Sequence, residues 1–317
     1  MISLGHACGK VILLGEHAVV HGVPALAVGI DRGARAQASP IDLGPSRMLV
    51  RGWDIVVKET DQGHDLGRAF RALLDAAPPL GPRWIEVETD LPPGGGLGCS
   101  AAIGVAVARA LEPHLTDEAL QDRAMAWECV FHGNPSGVDA AVAARGGCVL
   151  FKRGQPLEPV RVRGPMHLCI GNTGTASSTK TMVEAVARLR ARRPEIVEKS
   201  FEAIRTLVAN ARLAIEAGDW FALGRLMDLN QMLLGGLFVS TPEIERLCGT
   251  ARTAGALGAK LTGAGGGGSV VALVASKAAA DVVIDAWRAD GFTGFSACVA
   301  QETRGRAAPD EHEEAVP

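Results

Sequence analysis

Pro92-Pro93-Gly94-Gly95-Gly96-Leu97-Gly98-Cys99-Ser100-Ala101-Ala102 is the stretch on which the reading of this chain turns. Ahead of it, Trp84 to Thr89 alternates apolar Ile85 and Val87 with Glu86 and Glu88, the period of a half-buried strand. Behind it, Ser100 to Leu111 is a run of small and aliphatic residues that predicts a helix. A glycine-dense turn from strand to helix points several backbone N–H groups into one concavity, and the helix N-terminus adds positive potential there. The pattern is neither GxxxxGK[ST] nor GxGxxG, the two common nucleotide fingerprints. A flexible surface turn would also be rich in glycine. Four glycines in residues 94–98, undiluted by lysine, serine or proline, favour a phosphate cradle built from backbone.

Composition sets the outer bounds. A length of 317 residues suits two medium domains sharing a cleft, or one large one. A hydrophobic content of 47% excludes wholesale disorder. Aromatics are only 4% and tyrosine is absent, so the cores must be built from Ala, Val, Leu and Ile. The net charge is −3, with no basic block and no basic–aromatic interleaving, which argues against a nucleic-acid partner. No apolar run reaches the length of a membrane span, and the first residues lack a charged-then-apolar signal layout, so no membrane partner is expected. The seven cysteines are scattered and without CxxC spacing, the pattern of reduced thiols in a cytoplasmic protein.

A second glycine cluster, Lys260-Leu261-Thr262-Gly263-Ala264-Gly265-Gly266-Gly267-Gly268, leads into the strand-like Ser269 to Val274. Paired with the first it suggests two lips of one cleft. Residues 1–163 alternate short apolar runs (Lys10–Leu14, Ala25–Ile30, Met48–Val57, Trp84–Thr89, Cys148–Lys152) with helices near 65–77, 100–111 and 117–131. Thr116 is the expected N-cap of the last of these, with Asp117 and Glu118 in its first turn. Residues 179–256 read as mostly helical, with Gly218 as a C-cap and Thr241-Pro242 as a helix start. Strands at 259–262, 269–275 and 292–300 and a helix at 277–290 complete an α+β layout. The charged segment 304–317 is expected to be a disordered acidic tail.

Four segments, in order along the chain, carry a resemblance. Gly9-Lys10-Val11-Ile12-Leu13-Leu14-Gly15-Glu16-His17-Ala18-Val19-Val20-His21-Gly22 comes first, then the loop at 92–102, then His132-Gly133-Asn134-Pro135-Ser136-Gly137-Val138-Asp139, then Lys260 to Gly268. Together they resemble the GHMP kinase superfamily and, within it, the mevalonate kinase family. The stretches Asn172 to Lys180 and Asp228 to Gln231 are similar as well. The chain departs from the family pattern at Cys8, where proline is usual, and at Cys99, where the loop usually has the first of two serines. Its second serine is kept as Ser100.

Phosphoryl transfer to a hydroxyl needs a phosphate cradle, a metal, a group that orients or deprotonates the hydroxyl, and a cation for developing charge. The backbone of Pro93, Gly94, Gly95, Gly96, Leu97, Gly98, Cys99, Ser100 and Ala101 is the candidate ATP cradle. Ser100 and Glu128 are the candidate magnesium ligands, although on spacing alone Glu128 reads as a solvated helix residue. The resemblance makes Asp139 the catalytic base and Lys10 its partner; taken singly, they read as a capping aspartate and a strand-end lysine. Glu16 and His17 are expected to hold substrate hydroxyls or face the phosphates. The His17-x-x-x-His21 spacing lacks HExxH order, so zinc is not expected and His21 reads as structural. Arg153 is the candidate partner for a substrate carboxylate, with Lys152 as competitor and a plain surface arginine as the alternative. Thr173, in the Asn172-Thr173-Gly174 turn, is a lower-ranked pocket residue. Cys99, at a helix N-terminus, is expected to have a depressed thiol pKa.

The resemblance implies a two-domain α+β GHMP kinase fold, divided at 163/164, with the active site in the interdomain cleft. It implies transfer of the γ-phosphoryl of ATP to the 5-hydroxyl of (R)-mevalonate, with Mg2+, in isoprenoid synthesis, and a homodimer as an open expectation. A phosphomevalonate kinase, a galactokinase-like sugar kinase and a catalytically dead ligand sensor are the alternatives. The GEHAVVHG continuation and the joint presence of Lys10, Ser100, Glu128 and Asp139 argue against them.

Overall fold

The computed structural model describes residues 2–133 and 135–299; the tail expected at 304–317 lies outside the described residues. In chain order the first half is β1 (Ser3–Leu14), β2 (Ala25–Pro40), β3 (Arg47–Val50), β4 (Ile55–Lys58), α1 (Asp65–Asp75), β5 (Arg83–Thr89), α2 (Cys99–Leu111), α3 (Asp117–His132), α4 (Val138–Arg145), β6 (Cys148–Phe151) and β7 (Glu158–Val160). The second half is β8 (His167–Asn172), α5 (Thr179–Arg192), α6 (Pro194–Ala217), α7 (Trp220–Gly236), α8 (Pro242–Thr253), β9 (Gly258–Thr262), β10 (Ser269–Val274), α9 (Lys277–Ala289) and β11 (Thr293–Cys298).

The strands form two sheets. One runs β4-β3-β5-β2-β6-β7 with β1 also paired to β2, and the other runs β11-β8-β10-β9. Pairing is antiparallel except between β3 and β5. Helix α2 lies across β1 and β2, and the small-residue composition read from sequence is what allows it. A Cβ at Gly5 of β1 would stand 2.0 Å from the Ala106 carbonyl oxygen of α2. One apolar cluster continues through both halves, and Trp127 and Trp287 are its largest fully buried side chains.

Local signals behave as their chemistry dictates. Thr116 Oγ1 accepts the Ala119 N–H at 3.3 Å, capping α3. Gly218, at φ 75°, closes α6 in the left-handed region. The expected strand Met48–Val57 is instead a hairpin, β3 and β4, turning at Asp54 with φ 51°. β1 starts seven residues ahead of the expected Lys10, because Ser3 to Cys8 pair along β2 in register Ser3↔Ala38. Nothing in that hydrophobic pattern marks it. Strands β7 and β8 and helix α4 were not anticipated as elements either.

Candidate active site

Three glycines bend the loop between β5 and α2. Gly94, Gly96 and Gly98 have φ of 69°, 75° and 70°, where side chains other than glycine are strained. Gly98 is the N-cap of α2, so the unpaired N–H groups of the helix's first turn face the loop. The second glycine loop comes to meet it. A Cβ on Gly263 would lie 3.3 Å from Gly96 Cα, and one on Gly268 would lie 3.7 Å from the Gly95 carbonyl oxygen. Between these lips lies a cleft of about 290 Å³.

A second cavity of about 440 Å³ adjoins the cleft, and its apolar wall includes Ile12, Val20, Met125 and Val183. Glu128, His132, Asp139, Thr179 and Lys180 line both spaces. Lys10 Nζ sits 2.8 Å from Asp139 Oδ1 and donates to the Gly96 carbonyl at 3.3 Å. Lys10 is buried because β1 passes directly behind the loop, its N–H bonded to the Leu97 carbonyl at 2.8 Å. Asp139 lies in the first turn of α4, after Gly137 in the left-handed region, where the helix dipole favours a negative charge.

Ser100, on the first turn of α2, donates to Glu128 Oε1 at 2.6 Å and accepts the Trp127 indole N–H at 3.0 Å. Glu128 is only 2% exposed, which removes the solvated-helix reading. Burial, reinforced by the negative charge of Asp139, pushes its carboxyl up to about 7. A buried carboxylate and a second carboxylate nearby repel each other, and with the Ser100 hydroxyl they make a set of hard oxygen donors. The donor set fits a hard divalent cation such as magnesium.

His17 occupies a rare conformation, φ 61° and ψ −49°, with the Ala18 N–H bonded back to the Glu16 carbonyl at 2.6 Å. That is a positive-φ γ-turn, a strained one. Its ring N–H donates to the Ala264 carbonyl at 2.8 Å, tying the β1 loop to the second glycine loop. Burial pushes the imidazole down to about 4, so it is neutral near pH 7.

Several expectations need correction. Glu16 lines the acceptor cavity but is buried, with one carboxylate oxygen bound by Lys260 and the other 3.2 Å from Asn230 Nδ2, so a substrate hydroxyl would share a carboxylate that is already paired. Burial raises the Glu16 carboxyl and lowers the Lys260 ammonium, and their direct contact opposes both shifts. Thr173 gives its hydroxyl to the Gly268 carbonyl at 3.0 Å and serves as a clamp on the glycine loop. Cys99 is buried and its thiol is pushed up to about 11, because desolvation outweighs the helix terminus. Arg153 is exposed on the turn after β6, outside the residues lining either cavity, and Lys152 does not line them either. His21 stacks on Phe201 at 5.0 Å and meets Arg190 at 3.0 Å, a structural placement.

His132, Lys180, Lys260 and Asn230 carry the site without having been assigned roles from sequence. All four lie inside or beside the quoted motifs, which is the signal that could have found them. A further cavity of about 620 Å³ opens on the other side of the phosphate loop, lined by Asp90, Pro92, Asn172 and Phe295 among others.

Comparison with known proteins agrees with this geometry. The GHMP kinases N terminal domain matches residues 65–147, and the GHMP kinases C terminal domain matches residues 211–292. The fold is therefore that of a GHMP kinase, and the chain is an ATP-dependent small-molecule kinase. The mevalonate kinase of Pyrococcus abyssi is 35% identical over 302 residues, covering 87% of this chain and 90% of its own. That of Aeropyrum pernix is 37% identical over 283 residues, covering 84% and 87%. The crystal structure of L. major mevalonate kinase in complex with R-mevalonate superimposes with a TM-score of 0.82 at 30% identity, covering 96% of this chain and 97% of that one. The chain belongs to the mevalonate kinase family.

Proposed function

We propose that the chain transfers the γ-phosphoryl of ATP to the 5-hydroxyl of (R)-mevalonate, and that its halves, 1–163 and 164–303, act as the two walls of the site. The observation that carries this reading is the Lys10–Asp139 pair, 2.8 Å apart, at the junction between the phosphate cleft and the neighbouring cavity. A hydroxyl placed in the cavity lies beside the carboxylate, with the γ-phosphorus across the junction.

The loop backbone and the N-terminus of α2 hold the phosphates. Ser100 and Glu128 would hold magnesium, which when bound neutralises phosphate charge. Asp139 takes the acceptor proton as the new O–P bond forms and the bond to the β-phosphate oxygen breaks, leaving ADP. Lys10 orients the carboxylate, and its ammonium also faces the loop carbonyl. The further cavity beside Pro92 suits the nucleoside.

The acceptor carboxylate needs a cation. Lys10 and Lys260 are each bound to a carboxylate and His17 is neutral, whereas Lys180 lines both spaces and has no ion-pair partner among the described residues. Arg153 competes from two residues beyond Phe151, whose ring lies against Gly137 in the Asp139 loop. Among the described residues lining these spaces Lys180 is the one lysine or arginine outside an ion pair, which suits one carboxylate better than the added phosphate of phosphomevalonate. Reduced cysteines and the absence, among the described residues, of a helix long and apolar enough to cross a membrane are in keeping with a cytoplasmic site of action. A homodimer completes the reading.

An ADP-release assay across mevalonate, phosphomevalonate, galactose and no acceptor tests it. Mevalonate alone should support turnover, and preference for phosphomevalonate would overturn the assignment. Lys180→Met should raise the KM for mevalonate at least about tenfold with that for ATP little changed. If Arg153→Ala does so instead, the carboxylate lies on the β6 side.

A further inference from the structure

Trp127 acts on the phosphate cleft from behind. It is fully buried, lines neither the cleft nor the neighbouring cavity, and directly precedes Glu128 on α3. Successive residues on a helix point about 100° apart, so Glu128 faces the cleft while the indole packs against α2. Gly104 of α2 makes room for it: a Cβ there would stand 2.9 Å from Trp127 Cδ1 and 3.0 Å from its Cγ. Phe131, one turn further along α3, packs its ring 5.7 Å away, centroid to centroid.

A buried indole N–H needs an acceptor. That of Trp287 goes to a backbone carbonyl, Leu247, at 2.8 Å. That of Trp127 goes instead to a side chain of the site, Ser100 Oγ, at 3.0 Å. A serine hydroxyl has one proton to donate and two lone pairs to offer. The Ser100 proton goes to Glu128 Oε1 at 2.6 Å, and the indole takes one lone pair. One lone pair is left, on a residue that borders the cleft. Two partners from different directions also hold the oxygen against rotation about Cα–Cβ, so little order remains to be imposed when a ligand arrives.

We infer that Trp127 is a positioning residue of the phosphoryl-transfer site: its indole N–H aims the free lone pair of Ser100 at the place a magnesium ion would take. The inference rests on the reading of Ser100 and Glu128 as metal ligands. Outer partners that orient a metal ligand change metal affinity by roughly 10–100-fold when removed.

Titration calorimetry of ADP on the full chain, once with Mg2+ and once with EDTA, tests it. Trp127→Phe keeps an aromatic ring and removes the N–H. It should weaken ADP binding in Mg2+ at least about tenfold and leave binding in EDTA within about twofold. Ser100→Ala should do the same. The double variant should bind no more weakly than Ser100→Ala, because the indole acts through that hydroxyl. Trp287→Phe controls for a merely structural loss, since its indole is equally buried; it should lower Tm and leave both affinities unchanged. If circular dichroism shows Trp127→Phe unfolded, 3-benzothienylalanine at position 127 keeps the ring shape and puts sulfur in place of the N–H. Equal weakening in Mg2+ and EDTA overturns the inference, as do losses that add in the double variant. An unchanged Trp127→Phe beside a weakened Ser100→Ala overturns it and leaves the metal reading standing, whereas an unchanged Ser100→Ala overturns both. ADP release with mevalonate is followed separately, so the choice of acceptor is judged apart.

Discussion

Lys10 and Asp139 show how position changes the meaning of ordinary side chains. A buried lysine is costly unless paired, and here its partner faces the acceptor cavity. Asp139→Asn should keep ATP affinity nearly intact while lowering kcat at least about a hundredfold, as calorimetric titration and steady-state kinetics would show. Raised KM with normal kcat would make Asp139 a binding residue. His17 gives a pH test. Its folded pKa, about 4, lies below the ordinary value of 6.5, so the unfolded chain binds more protons between the two. Its contribution is therefore complete above about pH 6.5 and is lost as the pH falls towards 4, up to about 3 kcal/mol in all. His17→Asn should flatten the acid side of a plot of Tm against pH, and parallel curves would count against a neutral buried ring. Cys99, with its raised pKa, should alkylate far more slowly than exposed Cys129 and Cys298, with or without ATP. Mass spectrometry of labelled peptides reads this directly.

At the scale of elements, the seat of α2 on β1 sets the phosphate cradle. The helix start is the cradle's floor, and β1 delivers Lys10 to its back. Their approach depends on Gly5, where a side chain would collide with backbone atoms of Ala106 and Ala110 that no rotamer change can move. Gly5→Val should cost about 2–3 kcal/mol, seen as a lower urea midpoint, and should weaken ATP binding by shifting α2. Unchanged stability would mean that the sheet yields locally at no cost.

For the whole molecule, the decisive contacts join the two halves. The Thr262 hydroxyl bonds with both the N–H and the carbonyl of Ile12, at 3.0 and 3.2 Å, and His17 reaches Ala264. Lys260 and Glu16 form a fully buried pair at the same seam. Removing one member strands the other charge. Lys260→Met should therefore destabilise by about 3–5 kcal/mol in chemical denaturation, while Glu16→Gln combined with Lys260→Met should recover most of that loss. Wild-type stability in the single variant would show that the pair is not charged in the folded protein.

Much of this was written into local sequence. Glycine at positions of positive φ, Thr116 before acidic residues and Gly218 after an apolar helix act through neighbours a few residues away, so they can be read without a fold. The glycine turn at 94–98 was legible for the same reason, whereas Ser100, Glu128 and Asp139 were singled out only through the resemblance to whole motifs. What stayed hidden depends on residues far apart in sequence. Nothing near Glu16 in sequence shows that Lys260 will pair with its carboxylate. Thr173 is turned away by a glycine loop some ninety residues on. Cys99 was misjudged because a helix terminus is a local feature whereas burial is not. Desolvation, close packing and the pairing of buried charges are properties of the assembled interior, and only the tertiary structure decides them.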